Sequence, residues 1–151
     1  MIAVGSDHGG LALKEAVKSA LATRGLEVDD YGTDNGDSVD YPDFAEKVAG
    51  AVSRGDVELG ILVCGTGIGM SIVANKYPGV RAALVTDVFM AQMAKEHNNA
   101  NVLVLGGRVL DEDMAVNMVN VWLDSCYEAG RHQRRLDKIS RLEEDVRAGK
   151  F

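Results

Sequence analysis

The chain has 151 residues, of which 46% are hydrophobic and 26% charged, and its formal net charge at pH 7 is −7. These values are typical of one soluble globular domain, and we expect a single domain over residues 1–151. The acidic balance excludes a general nucleic-acid binder, which presents a basic surface. The sequence has neither a leader pattern nor 18 consecutive apolar residues, so it predicts a cytoplasmic protein without a membrane span.

Five short apolar runs alternate with amphipathic segments along the chain. The runs lie at 2–6, 27–31, 59–64, 81–86 and 101–105. Helical spacing of apolar residues recurs at 11–24, 43–54, 71–77, 87–97 and 111–125. Alternation of this kind predicts a five-stranded parallel sheet with helices on both faces, an α/β/α arrangement of three layers.

The last helical segment, 132–147, differs from the others because no strand follows it. Its apolar stripe is narrow and stands among many charges: Leu136, Ile139, Leu142 and Val146. A terminal helix of this type either packs on its own domain or reaches a partner subunit. The pattern leaves both possibilities open.

The third run ends in a cysteine and continues into alternating glycines, Cys64-Gly65-Thr66-Gly67-Ile68-Gly69. Glycines let backbone N–H groups approach a ligand, and the following helix directs its positive end at the loop. A thiol in this position is a candidate nucleophile or base beside an anion site. A phosphatase loop would need an arginine where Met70 stands, and the Lys-Ser/Thr ending of an ATP-binding loop is absent.

Polar residues also follow the first and fifth runs. In parallel sheets, ligands bind beyond the carboxyl ends of the strands, where the strand order reverses. If the first and third strands are neighbours there, Asp7 and His8 share a crevice with Cys64. A histidine beside a carboxylate suits proton transfer or ligand binding, although a structural hydrogen bond would explain it equally well. Arg108 follows the fifth strand at the same edge.

Two further features remain open from the residues alone. His97 closes a helix, where it either balances the helix dipole or serves a site. Arg131 and Arg135 are four residues apart, so they project from one helix face, which is either solvated or a phosphate clamp. The three histidines and two cysteines lack the spacing of metal ligands, and we expect no metal site.

Together, several segments resemble the family of type B ribose-5-phosphate isomerases, which also contains galactose-6-phosphate and allose-6-phosphate isomerases. The matching segments are Gly5-Ser6-Asp7-His8-Gly9-Gly10, Asp40-Tyr41-Pro42, Cys64-Gly65-Thr66-Gly67-Ile68-Gly69 with Ala74-Asn75-Lys76, Glu96-His97-Asn98, Gly107-Arg108-Val109 and Gly130-Arg131-His132. The resemblance implies a Rossmann-like domain that forms a homodimer or a dimer of dimers. It also implies cofactor-free interconversion of aldose and ketose phosphates at sites shared between subunits.

The resemblance further implies residue roles. Cys64 would be the base that moves a proton between adjacent sugar carbons through a cis-enediolate, Thr66 would assist at the substrate oxygens, and His97 of the other subunit would open the furanose ring. The expected substrate-binding residues are Asp7, His8, Tyr41, Gly65, Gly67, Ile68, Gly69, Ser71, Asn98, Arg108, Arg131 and Arg135.

The sugar itself is not determined by the sequence. Ribose 5-phosphate is the expected substrate, with a C4 or C6 sugar phosphate as the alternative. A branch of the family uses a glutamate base just after the glycine loop, and the matching position here is Met70, which favours the cysteine branch. A non-catalytic sugar-phosphate-binding subunit and a flavodoxin-like nucleotide-binding module remain the competing hypotheses.

Overall fold

The structure is a computed structural model that describes residues 1–151. Its strands are β1 (Ile2–Ser6), β2 (Val28–Asp30), β3 (Leu59–Cys64), β4 (Ala82–Leu84) and β5 (Val102–Gly106). Its helices are α1 (Leu11–Thr23), α2 (Pro42–Arg54), α3 (Ile68–Ala74), α4 (Val88–Glu96), α5 (Glu112–Asp124) and α6 (Arg131–Arg147). None of these helices is long and apolar enough to cross a membrane.

The five strands form one parallel sheet in the order β2-β1-β3-β5-β4. β1 and β3 are neighbours, which was the condition for Asp7 and His8 to lie near Cys64, and Ser6 pairs with Val63 at their carboxyl ends. β5 lies between β3 and β4, and its last residue, Gly106, pairs with Cys64 of β3. The carboxyl ends of β1, β3 and β5 therefore meet at one edge of the sheet.

Apolar side chains cover both faces of the sheet, as parallel sheets require. One cluster packs β1, β3 and β5 against α1, α4 and α5, with the fully buried Trp122 among its largest members. The other packs the opposite face against α2 and α3, and it includes Leu62 and Cys64. Since side chains alternate along a strand, Cys64 projects toward α2 and α3. The α/β/α prediction is confirmed.

The prediction for α3 is wrong in its bounds, because the helix runs from Ile68 to Ala74 and not over 71–77. The helix begins directly after Gly67, whose φ of 81° lies in the left-handed region that favours glycine. Gly69 is therefore helical. A methyl group there would lie 2.5 Å from ring carbons of Tyr41, so packing requires a glycine at a position where helix propensity disfavours it.

Helix α6 buries side chains against its own domain only in its first turns, and further along the Glu143 carboxylate accepts from the Gly79 amide at 3.1 Å. His132 and Leu136 are buried, whereas Ile139, Leu142 and Val146 are about half exposed. These side chains form one wall of an apolar groove of about 920 Å³, and residues of β4 and α4 such as Leu84 and Met93 form the other. The groove leaves a continuous apolar surface uncovered on the single chain.

Candidate active site

Cys64 ends β3, and its side chain is turned toward the start of α3. The backbone N–H of Gly67 donates to the Cys64 Sγ at 3.2 Å, which fixes the direction of the sulfur. Only 5% of Cys64 is exposed, so the sulfur is largely buried where β3 meets the glycine loop. This turn requires glycine at position 67, because a Cβ atom there would lie 2.5 Å from a side-chain carbon of Leu84.

The loop above the sulfur offers hydrogen-bond groups to a ligand. The backbone N–H groups of Gly69 and Met70, in the first turn of α3, have no acceptor in the protein. The Thr66 side chain is exposed, and its Oγ1 accepts only a long bond of 3.3 Å from the Ile68 amide. Ser71 instead donates its hydroxyl to the Ile68 carbonyl at 2.7 Å. The loop can therefore hold an oxyanion through Gly69 and Met70, with the Thr66 hydroxyl beside it.

The residues after β1 lie against this loop. Asp7 is buried, and its carboxylate accepts a hydrogen bond of 3.1 Å from the Gly10 amide. A methyl group added to Gly9 would lie 3.3 Å from the Gly65 nitrogen, so the two loops are in close contact. The half-buried His8 accepts from the Val39 amide through Nδ1 at 3.2 Å. In the neutral ring the proton is then on Nε2, which makes that atom the donor available to a ligand.

A buried lysine fixes the loop that contacts His8. Lys14 is 2% exposed, and its Nζ donates at 2.9 Å to both carboxylate oxygens of Asp30 and at 2.7 Å to the Thr33 carbonyl. Burial disfavours the charge on Asp30, but hydrogen bonds from Lys18 and Lys14 outweigh that effect and hold the pKa of Asp30 below its ordinary value. This ion-pair network anchors the start of the 32–40 loop.

Tyr41 and Arg108 border the same cleft. The Tyr41 ring lies against Gly69, and Tyr41 is itself 39% exposed. A methyl group on Gly65 would lie 3.3 Å from Nη1 of Arg108, whose exposed guanidinium therefore stands beside the glycine loop. The backbone of Arg108 is tied to the same loop through its N–H, which donates to the Gly65 carbonyl at 2.9 Å.

The other predicted residues lie at the opposite edge of the sheet. α4 starts at the carboxyl edge and ends at His97, and the chain then turns back into β5, with the Ala100 amide bonded to the Ala94 carbonyl at 2.8 Å. Along β5, Val102 pairs with Gly60 and Gly106 with Cys64. Four residues of strand span about 13 Å, so His97 and Asn98 are at least that far from the sulfur of the same chain.

Arg131 and Arg135 belong to the His97 edge. Both are exposed in the first turns of α6. His132, which follows Arg131 directly, stacks on His97 with ring centroids 4.1 Å apart. The predicted site residues therefore fall into two separate groups, which we call half-sites. One, at the carboxyl edge, holds Asp7, His8, Tyr41, residues 64–71 and Arg108, and the other holds His97, Asn98, Arg131 and Arg135.

Sequence reasoning missed two residues at the second half-site. His132 is buried under His97, and the Glu128 carboxylate lies 3.5 Å from the Nε2 of His132 and 4.0 Å from that of His97. No spacing in the sequence connects His97 with a histidine 35 positions later. The available signals were the four-residue spacing of Glu128 and His132 and the presence of His132 in the family-like segment Gly130-Arg131-His132.

These three side chains are poorly arranged to hold a metal ion. Their possible ligand atoms lie within 4.8 Å of one another. The two imidazole planes, however, are inclined by only 17°, and the nitrogen lone pairs lie in those planes. The lone pairs of the two stacked rings therefore do not converge on one point about 2 Å from each nitrogen. A zinc site requires such convergence.

Comparison with known proteins places the chain in a family. Residues 2–139 match the model of the ribose/galactose isomerase family. The chain belongs to that family, and it is an enzyme of the class that interconverts aldoses and ketoses.

Individual relatives agree over nearly the full length. Ribose-5-phosphate isomerase B of Escherichia coli is 46% identical over 143 residues, which covers 95% of this chain and 96% of the relative. D-erythrulose-4-phosphate isomerase of Pectobacterium atrosepticum is 43% identical, with 94% of each chain covered.

Solved structures share the fold closely. Ribose-5-phosphate isomerase B of Clostridium thermocellum superposes with a TM-score of 0.94 at 50% identity, covering 96% of this chain and 98% of that one. The Mycoplasma genitalium enzyme, solved with bound ribulose-5-phosphate, has a TM-score of 0.92 at 45% identity, with 95% and 96% covered.

Proposed function

We propose that this chain interconverts ribose 5-phosphate and ribulose 5-phosphate through a cis-enediolate, with Cys64 as the base. The observation that carries the proposal is the position of the Cys64 sulfur at the end of β3, beneath a loop with free amides, in a chain of this isomerase family. The solved relative with bound ribulose-5-phosphate makes the pentose phosphate the first substrate to test.

The reaction needs one proton carrier and a place for negative charge. The sulfur takes the proton from C2 of the open-chain aldose, and the electron pair of that bond forms the C1–C2 double bond of the enediolate. The same sulfur returns the proton to C1, while the hydroxyl proton of O2 passes to O1 with help from Thr66. The amides of Gly69 and Met70 face the oxygen on which charge develops, and this arrangement lowers the barrier because it needs no reorganisation.

Each complete site takes residues from two chains. Ring opening and proton transfer act on neighbouring atoms of one sugar, yet Cys64 and His97 of a single chain lie at opposite edges of the sheet. A partner chain must therefore bring its His97, together with Asn98, to the Cys64 half-site. Arg131 and Arg135 follow His97 across the interface and bind the phosphate, helped by Arg108 on the Cys64 side.

The apolar groove between α6 and α4 supplies the contact surface for this partner. Its walls include Ile139, Leu142 and Val146, and burying such side chains is the main source of dimer stability. We propose a homodimer in which α6 crosses onto the second subunit. Sedimentation velocity tests this: a monomer at micromolar concentration contradicts it, and a tetramer would identify a dimer of dimers.

A panel of aldose phosphates with four, five and six carbons tests the substrate. We expect the highest kcat/KM for ribose 5-phosphate. A higher value for a C4 or C6 sugar would replace the pentose, and the relative named for D-erythrulose-4-phosphate makes the C4 sugar the second candidate. Binding of all three phosphates without turnover by the purified chain would instead indicate a non-catalytic subunit.

A further inference from the structure

A carboxylate and two stacked histidines form a compact cluster at the His97 half-site. The His97 and His132 rings are 4.1 Å apart and nearly parallel, with 37% and 5% of their side chains exposed. One oxygen of Glu128, Oε2, faces the Nε2 atoms of both rings, at 4.0 Å and 3.5 Å. The proposed reaction uses His97 but gives no role to Glu128 or His132.

The charged groups around His132 act on it in opposite directions. Burial lowers the pKa of His132, and the nearby His97, Arg131 and Arg135 lower it further, whereas Glu128 raises it. A positive charge on the stacked His97 ring would repel one on His132. Glu128 is the only negative group among these neighbours, and it therefore opposes the other influences on His132.

The backbone holds Glu128 in place at the cost of an unfavourable conformation. The Glu128 amide donates to the Glu96 carbonyl at 3.0 Å, which ties this segment to the end of α4 beside His97. The next two residues, Ala129 and Gly130, have φ values of 51° and 52°, and alanine rarely adopts a positive φ. Strained residues of this kind cluster at functional sites, where the surrounding structure maintains them.

We propose that Glu128 is a positioning residue for His97: its carboxylate, shared by the Nε2 atoms of His97 and His132, fixes the stacked pair so that Nδ1 of His97 transfers the proton in ring opening. This inference rests on the proposed function. In that step O1 of the furanose loses its proton, the ring oxygen O4 gains one, the C1–O4 bond breaks and the C1 carbonyl forms. A neutral His97 with its proton on Nε2 presents Nδ1 as the acceptor for the O1 proton.

The test compares Glu128→Gln with Glu27→Gln. Both substitutions remove one carboxylate from an exposed glutamate, but Glu27 is remote from the cluster, and only its backbone carbonyl is hydrogen-bonded. Long-range ¹H–¹⁵N spectra of the histidine side chains, recorded from pH 5 to 8.5, report the tautomer and titration of each ring in the free enzyme. Activity is measured with ribose 5-phosphate and with erythrose 4-phosphate, whose phosphorylated O4 cannot close a furanose ring.

In Glu128→Gln we expect the titration of His132 to move to lower pH, because the carboxylate that raises its pKa is gone, and the Nδ1–H tautomer of His97 to increase. The kcat/KM for ribose 5-phosphate should fall about tenfold or more, whereas that for erythrose 4-phosphate stays within about twofold. Unchanged histidine spectra, or equal losses with both sugars, would overturn the positioning role. Failure of the proposed function differs, because the wild-type enzyme itself would then not turn over ribose 5-phosphate, whatever the histidine spectra show.

Discussion

The proposed division of the site between two chains makes a quantitative prediction about mixed dimers. Cys64→Ala removes the base from one half-site, and His97→Asn removes the ring-opening group from the other. In a hybrid of the two variants, one of the two sites combines a wild-type Cys64 with a wild-type His97, and the other site lacks both groups. Each parental homodimer, in contrast, has the same defect in both of its sites.

The expected activity follows from the two-fold symmetry of the proposed dimer. A purified hybrid should have about half of the wild-type kcat per dimer, because one of its two equivalent sites is intact. After random exchange of equal amounts, hybrids make up half of the dimers, so the mixture should have about a quarter of the wild-type activity. The length of β5 is the structural reason, since it places His97 about 13 Å or more from the Cys64 of its own chain.

The assay uses co-expression of the two variants with different affinity tags and two successive purifications. Ribose 5-phosphate turnover is then compared among the hybrid, both parental homodimers and a wild-type dimer that carries the same two tags. A hybrid no more active than its better parent would refute the shared site, because it would mean that Cys64 and His97 of one chain act together.

The remaining predictions concern single substitutions. Cys64→Ser should abolish turnover and leave ribulose 5-phosphate binding within about threefold by calorimetry; activity near the wild-type level would exclude Cys64 as the base. His97→Asn should lower kcat/KM for ribose 5-phosphate about 100-fold but affect erythrose 4-phosphate little, since only the pentose must be opened. Leu142→Glu should shift the protein toward monomer in sedimentation velocity and reduce activity in parallel, because it places a charge in the groove. Asp30→Asn should lower the free energy of unfolding in urea by about 1–2 kcal/mol at pH 7, discounted for partial exposure. The lowered pKa of Asp30 means that this difference should be complete above about pH 4 and disappear as the pH falls through the native pKa; a constant difference would contradict the role of the Lys14 pair.

Much of the fold could be predicted because strand and helix periods are local properties of the sequence. The alternating pattern indicated five strands, and the Gly-rich turn after Cys64 indicated where β3 ends. The insertion of β5 between β3 and β4 could not be predicted, since nothing in the two short strands records which neighbour they pair with. The start of α3 was misplaced because Gly69 is a poor helix former, and its need to accommodate the Tyr41 ring is visible only in three dimensions.

At the second half-site, too, contacts between distant parts of the chain could not be predicted from the sequence. The spacing of Arg131 and Arg135 predicted that they share a helix face, and both are exposed there. The contact between His97 and His132 joins the end of α4 to the start of α6, so no local pattern could reveal it. Glu128 was missed for the same reason, because its importance depends on two rings that are distant from each other in the sequence.

The other positions near the glycine loop that could supply a base are either buried or already hydrogen-bonded, which favours Cys64. Met70, at the position where a glutamate base would follow the loop, is fully buried in the cluster that contains Cys64, so a carboxylate there would have to be desolvated. The carboxylate of Asp7 is buried and occupied by the Gly10 amide, and Nδ1 of His8 is occupied by Val39. The Cys64 sulfur receives one amide from a loop in which the Gly69 and Met70 amides are free, which leaves it as the group best placed to exchange a proton with a bound sugar.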